Sequence, residues 1–539
     1  MHRRLMAALG AVALTATAFS PNLSGTDLGP TTDDTAPGEH VQEDFVLTSH
    51  DGTEIHYTLF RPAGADATNP VPLVFSSHGW GGSRTSNMDY WLDAGFGGLS
   101  FDQRGFGQSG DLANVQDPEL EAQDVKGLLD VVQDLDWVLR DVDATTDDPF
   151  GLEDPTVFAV GGSYGGGYQT VTALTETFES GDTRFDALAP EITWYDLPQA
   201  LGPQDVARSA WLTLLQGVAV NDTARYIQQA YVYGAATGQW PDGTVGGVAA
   251  PGAPDIDTPF TAHGPAGFVE GSTFVPDGGV RLDVPALWRQ GSSDTLFNLN
   301  EGLDNLDAMT DEARAGSYLI GYNGGHVLPT ALPRGGAAGS DPCSAETEAG
   351  SYRDLTRDFF RLVAAGQSTE GFLDHRYGIA DMDGNCVWTD DVRSTTALDI
   401  GTDIEVARGA VSTSGAGAPQ YVPVFTADEE TVITGVPTVD ATWYQAGVDQ
   451  RLFFGLAKGT SPADATVMQH QMQPHLELLP STGTDVTVEL GGGGMTVAPG
   501  ETVYLVISPV VELYFGHGSA RTPGAVALDG LTVNLPIQD

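Results

Sequence analysis

The chain has 539 residues, too many for one ordinary domain, and its 41% hydrophobic and 9% aromatic content excludes wholesale disorder. Its formal charge is −50, from 73 acidic against 23 basic residues, and only two of the basic residues are lysines, Lys126 and Lys458. Such a surface repels phosphate backbones and anionic lipid, which argues against nucleic-acid and polybasic membrane partners. A high-salt habitat, or secretion from an organism with a GC-rich genome, accounts for the acidity better than one cationic partner does.

The first residues read MHRRLMAALGAVALTATAFS. Arg3 and Arg4 form a basic n-region, Leu5 to Leu14 a short apolar core and Ala16-Thr17-Ala18 a cleavage site, so residues 1–18 are expected to be a signal peptide. Neither that run nor any later one offers about 18 uninterrupted apolar residues, so no membrane span is expected. The expected location is secreted, with the general and twin-arginine export routes both open. Residues 19–42 are polar and rich in Pro, Gly, Thr and Asp, as in an exposed linker. Two cysteines, Cys343 and Cys386, fit an exported protein with one disulfide; two free buried thiols are the alternative. No Cys/His spacing suggests zinc, and Asp381-Met382-Asp383-Gly384-Asn385 reads as an Asp-Gly turn rather than a calcium loop. No metal or other cofactor is expected.

Ordered sequence opens with two β-rich runs joined at Asp51-Gly52, a hairpin signal. Short apolar runs then end in loop signals at Val71–Ser77, Phe96–Asp102, Thr156–Gly162, Val284–Gly291 and Gly316–Asn323. Such runs suit a parallel sheet covered on both faces. Between the second and third, Val125, Leu128, Leu129, Val132, Leu135, Val138 and Leu139 recur at helical spacing. The expected fold is α/β, a doubly wound, mostly parallel sheet over residues 43–371, with ligands beyond the carboxyl ends of the strands. Leu197 to Gly279 interrupts the rhythm with helical and then Gly/Pro/Asp-rich sequence, a cap insertion at about 197–280 or a separate small domain. Residues 372–539 have the short alternating strands and turn residues of a β-sandwich.

Gly161-Gly162-Ser163-Tyr164-Gly165 fits G-x-S-x-G, the elbow that lifts a serine off a strand end in α/β-hydrolases. In a chain with 68 glycines the bare pattern proves nothing. A serine nucleophile needs a base and an orienting acid, in the chain order Ser, Asp or Glu, His. Asp294 follows the strand ending at Gly291, and His326 follows the strand before Gly324-Gly325, so both stand at later strand ends. His263, upstream of Asp294, breaks the order. The loop His78-Gly79-Trp80 is placed to offer one oxyanion N–H and Tyr164 the other, with His78 structural rather than a base. Asp102 and Arg104 are expected to lock loops by charge-assisted hydrogen bonds. Gly166 and Gly167, beyond the motif, have no assigned task.

The set SHGWGG, DQRGFGQSG, GGSYGGGYQ, QGSSDTLF and GGH, followed by a β-sandwich, resembles the X-Pro dipeptidyl-peptidase/cocaine esterase family of α/β-hydrolases. The resemblance covers about residues 43–539 and is strongest in the catalytic half. It implies a Ser163–Asp294–His326 triad, a helical cap, a jelly-roll-like C-terminal domain and hydrolysis of a small-molecule or peptide ester or amide bond. Cocaine esterases use a tyrosine hydroxyl in the oxyanion hole where Trp80 aligns, so the donor here is either the backbone N–H or the indole N–H of Trp80. An aminopeptidase would need a carboxylate for the substrate amine, for which Glu191 and Asp196 are candidates; anchoring the cap is the other role open to them. A non-catalytic surface-binding protein and an acyltransferase on the same fold are the alternatives from other classes.

Overall fold

The computed structural model describes residues 39–538 other than 143, 147, 327–338, 402–403, 409–417 and 515–523. The expected signal peptide and most of the expected linker lie outside the described residues. Of the expected linker, Val41 and Gln42 pair in a strand with Arg61 and Phe60.

The central sheet takes ten strands in chain order: β1 (Val41–Thr48), β2 (Glu54–Arg61), β3 (Leu73–Ser77), β4 (Gly97–Phe101), β5 (Val157–Gly162), β6 (Phe185–Glu191), β7 (Leu287–Gly291), β8 (Tyr318–Tyr322), β9 (Tyr377–Ala380) and β10 (Cys386–Thr389). Their order across the sheet is β1-β2-β4-β3-β5-β6-β7-β8-β9-β10. From β4 to β9 neighbours run parallel, and the antiparallel strands lie at the two edges. The β1–β2 hairpin turns at Asp51-Gly52, with Gly52 at φ +94° and Asp51 accepting the Thr53 N–H. β3 and β4 are apolar and buried because helices cover both faces. On one face α1 (Glu121–Gln133) and α2 (Tyr164–Ser180) pack Val125, Leu128, Val171 and Leu174 against Phe75, Leu99 and Ala159. On the other, α3 (Tyr352–Ala364) packs Leu355, Phe359 and Phe360 against Val74, Phe158 and Ile320.

Two sequence expectations are corrected. The apolar stripe through Leu139 is helical only to Gln133; beyond it the chain turns and then pairs at Val138 with Val71, just before β3, Val71 donating to Trp137 O and Leu139 to Val71 O. Val138 is a core residue and Leu135 packs against the core without either being helical, since a spacing of three or four apolar positions does not distinguish one more helical turn from a turn followed by a short extended run. The β-sandwich also starts later than residue 372. β9 and β10 extend the central sheet from β8, so the α/β domain runs to about Thr389 and the first sandwich strand is Thr396–Asp399. Strand-like composition does not say which sheet edge a strand joins. Asp381 to Asn385 form the turn between β9 and β10, Asp381 Oδ1 accepting the Asp383 and Asn385 N–H groups. Cys343 and Cys386 form a disulfide that ties the short helix Pro342–Glu346 to β10.

The insertion between β6 and β7 holds Leu197–Leu201, Ser209–Val218, Arg225–Thr237 and Pro265–Val269 as helices. The helix Ser209–Val218 lies over the carboxyl strand ends, where Trp211 meets His326 and Leu215 O meets Trp80. The C-terminal domain stacks two five-stranded antiparallel sheets beside a two-stranded pair, Thr431–Gly435 with Gly493–Val497. One is built on Thr438–Ala446 and Gly524–Leu535, the other on Gln450–Gly459 and Thr502–Ser508. Thr438–Ala446 alternates buried and more exposed residues, as a strand with one covered face must. Gln450–Gly459 is buried almost throughout: Leu452, Phe454 and Leu456 fill the sandwich core, while Phe453 and Ala457 join the apolar cluster that contains Tyr164, Trp211 and Phe297. The second sheet is therefore packed onto the cap and the strand ends that carry the candidate site.

Candidate active site

β5 ends at Gly162 and α2 starts at Tyr164, leaving Ser163 at a one-residue corner with φ +59° and ψ −120°. A non-glycine residue at that φ is strained and persists only where its surroundings impose it. Here they do: Ser163 N–H donates to Glu191 O on β6 at 2.8 Å, and Ser163 O accepts from Gly166 N–H at 2.8 Å. A Cβ on Gly165 would lie 2.7 Å from Ser77 O, so the helix crosses the end of β3 at a distance only glycine permits. The glycines at 166 and 167 now have a reason: Cβ atoms there would lie 2.6 Å from Thr193 Cβ and 2.4 Å from the Trp194 ring.

Asp294 and His326 meet beyond β7 and β8. His326 Nδ1 lies 2.7 Å from Asp294 Oδ2, which also accepts the His326 backbone N–H at 3.0 Å. Asp294 Oδ1 accepts the N–H groups of Leu296 and Phe297 at 2.8 and 3.0 Å. The carboxylate is wholly buried, with four hydrogen bonds that hold both oxygens, while the imidazole keeps 19% of its side-chain surface exposed. Because Nδ1 faces a carboxylate, the proton sits on Nδ1 and Nε2 is free to accept one. Trp211 and Phe297 meet the imidazole edge-to-face at 5.8 and 5.4 Å. No hydrogen bond joins Ser163 Oγ to His326 among the described residues; without substrate such catalytic hydrogen bonds are often open.

The loop after β3 runs past the serine, since a Cβ on Gly79 would lie 3.9 Å from Ser163 Cβ. It closes a turn with Gly82 N–H on Gly79 O and Gly81 at φ +76°. The Trp80 indole N–H donates to Leu215 O at 3.0 Å, and its ring packs edge-to-face on Phe106 and Tyr164, both at 5.0 Å. That engagement leaves the backbone N–H as the donor Trp80 has to offer. Tyr164, first residue of α2, has an N–H with no acceptor within its helix. Both ring nitrogens of His78 are occupied, Nδ1 with Gly79 O and Nε2 accepting the Gln103 N–H, and burial lowers its pKa, so it is a structural imidazole. Asp102 and Arg104 lock different loops rather than each other: Asp102 holds Arg84 and the Gln108 N–H, and the buried Arg104 holds Asp51, Asp111 and Asp124.

The sequence pattern of the X-Pro dipeptidyl-peptidase (S15) family matches residues 51–328. The chain belongs to that family. No curated protein sequence matches the chain. Among solved structures it is similar to a CocE/NonD family hydrolase from Staphylococcus aureus, at 13% identity and a TM-score of 0.62 over 93% of this chain and 94% of that one. It is likewise similar to an aminopeptidase from a marine sediment Thaumarchaeota archaeon, at 13% identity and 0.61 over 96% and 99%. An α-amino acid ester hydrolase gives 14% identity and 0.60 over 97% and 100%. These likenesses are of fold, and they extend through both the catalytic domain and the C-terminal β domain. As an S15-family chain the protein is a serine hydrolase, and among the described residues no helix is long and apolar enough to cross a membrane.

Further residues brace this site, most of them within the span that matches the S15 pattern and two, Asp341 and Tyr352, beyond it. Glu191, a candidate amine partner, is held by Arg289 at 2.7 Å, and Arg289 is held in turn by Asp341 and by the faces of Tyr322 and Tyr352. Asp196, the other candidate, caps the helix Leu197–Leu201 by accepting the Gln199 N–H at 3.0 Å, and burial raises its pKa. Both acids serve the cap and the strand ends. Arg208, buried in the cap, donates to the carbonyls of Thr295 and Leu296 beside Asp294, and Trp211 Nε1 donates to Thr295 Oγ1 at 3.1 Å. Glu301 accepts the N–H groups of Tyr195 and Asp196, and its burial pushes its pKa up to about 8. Burial does the same to Glu121, beneath Tyr164. Sequence reasoning missed Arg208, Trp211, Glu301 and Phe297. Arg208, Trp211 and Glu301 lie in helices or loops with no motif of their own, and Phe297, though it closes QGSSDTLF, is brought against the imidazole only by the fold.

Proposed function

We propose that Ser163, His326 and Asp294 act as nucleophile, base and orienting acid in an acyl esterase whose substrates carry an uncharged, apolar acyl group. In this reading His326 Nε2 takes the Ser163 Oγ proton as Oγ attacks the ester carbonyl. Asp294 keeps the Nδ1 tautomer in place and stabilises the imidazolium that forms. The backbone N–H groups of Tyr164 and Trp80 receive the oxyanion, each donor of this kind being worth ~3 kcal/mol in the transition state. The imidazolium then protonates the departing alcohol, and water activated by the same Nε2 releases the acid from Ser163.

The observation that carries the proposal is the 2.7 Å Asp294–His326 hydrogen bond at strand ends next to a strained serine elbow. The choice of ester over X-Pro dipeptide rests on the surroundings. Trp80, Phe106, Tyr164, Trp211 and Phe297 give the site aromatic walls, and the two acids suited to a substrate amine are committed to Arg289 and to a helix cap. A fluorophosphonate is expected to label Ser163 and not Ser163→Ala; absence of labelling on folded protein would overturn the hydrolytic triad. Aromatic or medium-chain p-nitrophenyl esters are expected to be cleaved faster than Ala-Pro or Gly-Pro anilides. Cleavage of the anilides alone would overturn the ester reading in favour of a dipeptidyl-peptidase. We also infer export, because the Cys343–Cys386 disulfide suits an oxidising compartment; a mature protein recovered from culture medium without residues 1–18 is the expected result.

A further inference from the structure

The C-terminal domain reaches both loops that carry the candidate acid and base. After the strand Thr466–Val467 the chain makes a turn at Met468–His470, in which two consecutive non-glycine residues, Gln469 (φ +46°) and His470 (φ +64°), are left-handed. Residues that are strained in this way persist where the fold requires their direction. The turn brings two buried glutamines, Gln469 and Gln471, against the catalytic sheet.

Gln471 Nε2 donates to Ser292 O at 2.9 Å and to Asp294 O at 2.8 Å, so both amide hydrogens hold the loop on which Asp294 stands. Gln469 Nε2 donates to Asn323 Oδ1 at 2.6 Å and to Ala380 O at 2.7 Å, and its Oε1 accepts the Gly494 N–H at 3.1 Å. Asn323, fully buried three residues before His326, spends its own amide on Asp381 O at 2.6 Å and Ser340 Oγ at 3.2 Å. The glycine run Gly491 to Gly494 makes room for this arrangement. A Cβ on Gly491 would lie 2.5 Å from Gln471 Cβ, and one on Gly493 would lie 2.0 Å from Gln469 Oε1. Gly492 N–H in turn holds Asn300 Oδ1, just beyond the acid loop, at 2.6 Å.

We propose that Gln471 is a positioning residue for the hydrolytic reaction, acting through Asp294, with Gln469 doing the same for His326 through Asn323, so that the β-sandwich completes the active site. The proposal rests on the triad reading above. A carbonyl pair clamped by one rigid amide fixes where Asp294 presents Oδ2, and with it the angle at which Nε2 faces Ser163. Misplacement of a reacting group by an ångström is enough to cost about a hundredfold in rate.

The test compares Gln471→Met with Gln445→Met. Gln445 is also buried, but its hydrogen bonds to Trp443, Glu477 and Leu479 stay within the sandwich. Both variants are expected to lose thermal stability. Only Gln471→Met is expected to lower kcat on a p-nitrophenyl ester, by about ten- to a hundredfold with KM within twofold, and to slow fluorophosphonate labelling in proportion. In the wild type the Asp294–His326 proton should give a downfield NMR resonance, broadened in Gln471→Met and unchanged in Gln445→Met. Should Gln471→Met fail to fold, Gln471→Asn, which keeps the amide but withdraws it by one methylene, should show the same pattern in smaller measure. Wild-type kcat and labelling in a folded Gln471 variant, or an equal loss in Gln445→Met, would overturn the positioning role and leave the triad intact. Absence of labelling in the wild type itself would instead overturn the triad, and this proposal with it.

Discussion

Asp294 uses both carboxylate oxygens, Oδ1 for two backbone N–H groups and Oδ2 for His326. Asp294→Asn can keep one oxygen only. With it turned to Leu296 and Phe297, the new NH2 faces His326 Nδ1 and forces the proton to Nε2, the wrong tautomer for a base. We expect kcat on a p-nitrophenyl ester to fall by about 10³- to 10⁴-fold with the fold retained; a loss under tenfold would count against Asp294 as the orienting acid. Glu301 makes a second residue-scale prediction. Its pKa is raised to about 8 by burial, so between the ordinary carboxylate range and pH 8 the folded state binds a proton that the unfolded state has released. Wild-type stability should therefore fall as pH rises through that window. Glu301→Gln keeps an oxygen for the Tyr195 and Asp196 N–H groups but never ionises, so its stability relative to wild type should climb from pH 5 to pH 8 in urea titrations. A difference that stays flat with pH would sink the assignment.

At the scale of elements, the helix–strand rhythm was legible because β3, β4, β5, β7 and β8 are short apolar runs closed by loop residues, and buried parallel strands demand that composition. The elbow and the two loops bearing Asp294 and His326 were legible for the same reason, since each follows such a strand. Element ends and partners were not. Leu135 and Val138 continue a helical spacing through a turn and into a β-bridge, and Tyr377–Ala380 and Cys386–Thr389 look like sandwich strands yet extend the central sheet, because pairing is decided by a free sheet edge. The disulfide belongs to this scale too. It closes a 43-residue separation and clips the edge strand β10 to the helix Pro342–Glu346. In the chain-entropy view such a loop contributes about 4 kcal/mol. Replacing both cysteines by alanine is expected to lower unfolding stability by ~2–4 kcal/mol in denaturant titration, and an unchanged midpoint would show that the edge holds without it.

Over the whole molecule, 73 acidic residues face 23 basic ones, and the basic residues are heavily committed: Arg104 and Lys458 each meet more than one carboxylate. The excess negative charge repels itself in the folded state, and salt screens that repulsion, the Debye length shrinking from about 10 Å at 0.1 M to about 3 Å at 1 M. The thermal midpoint is expected to rise from low to molar sodium chloride. A midpoint insensitive to salt would show that the acidity carries no such cost.

Taken alone, the sequence determined the doubly wound fold, an elbow at Ser163 with Asp294 and His326 after later strands, an insertion over about residues 197–280 read as a cap or a separate small domain, and the all-β character of the C-terminal residues. These are local properties: periodicity, turn chemistry and short motifs that neighbouring residues must satisfy together. Only the tertiary structure decided that Glu191 pairs with Arg289, that the Trp80 indole is taken by Leu215, and that Gln469 and Gln471 of the sandwich hold the loops of His326 and Asp294. Each of these is a contact between residues 98 to 177 positions apart. Such a contact leaves no trace in spacing, because packing and the pairing of buried polar groups select the partner only once the elements have met.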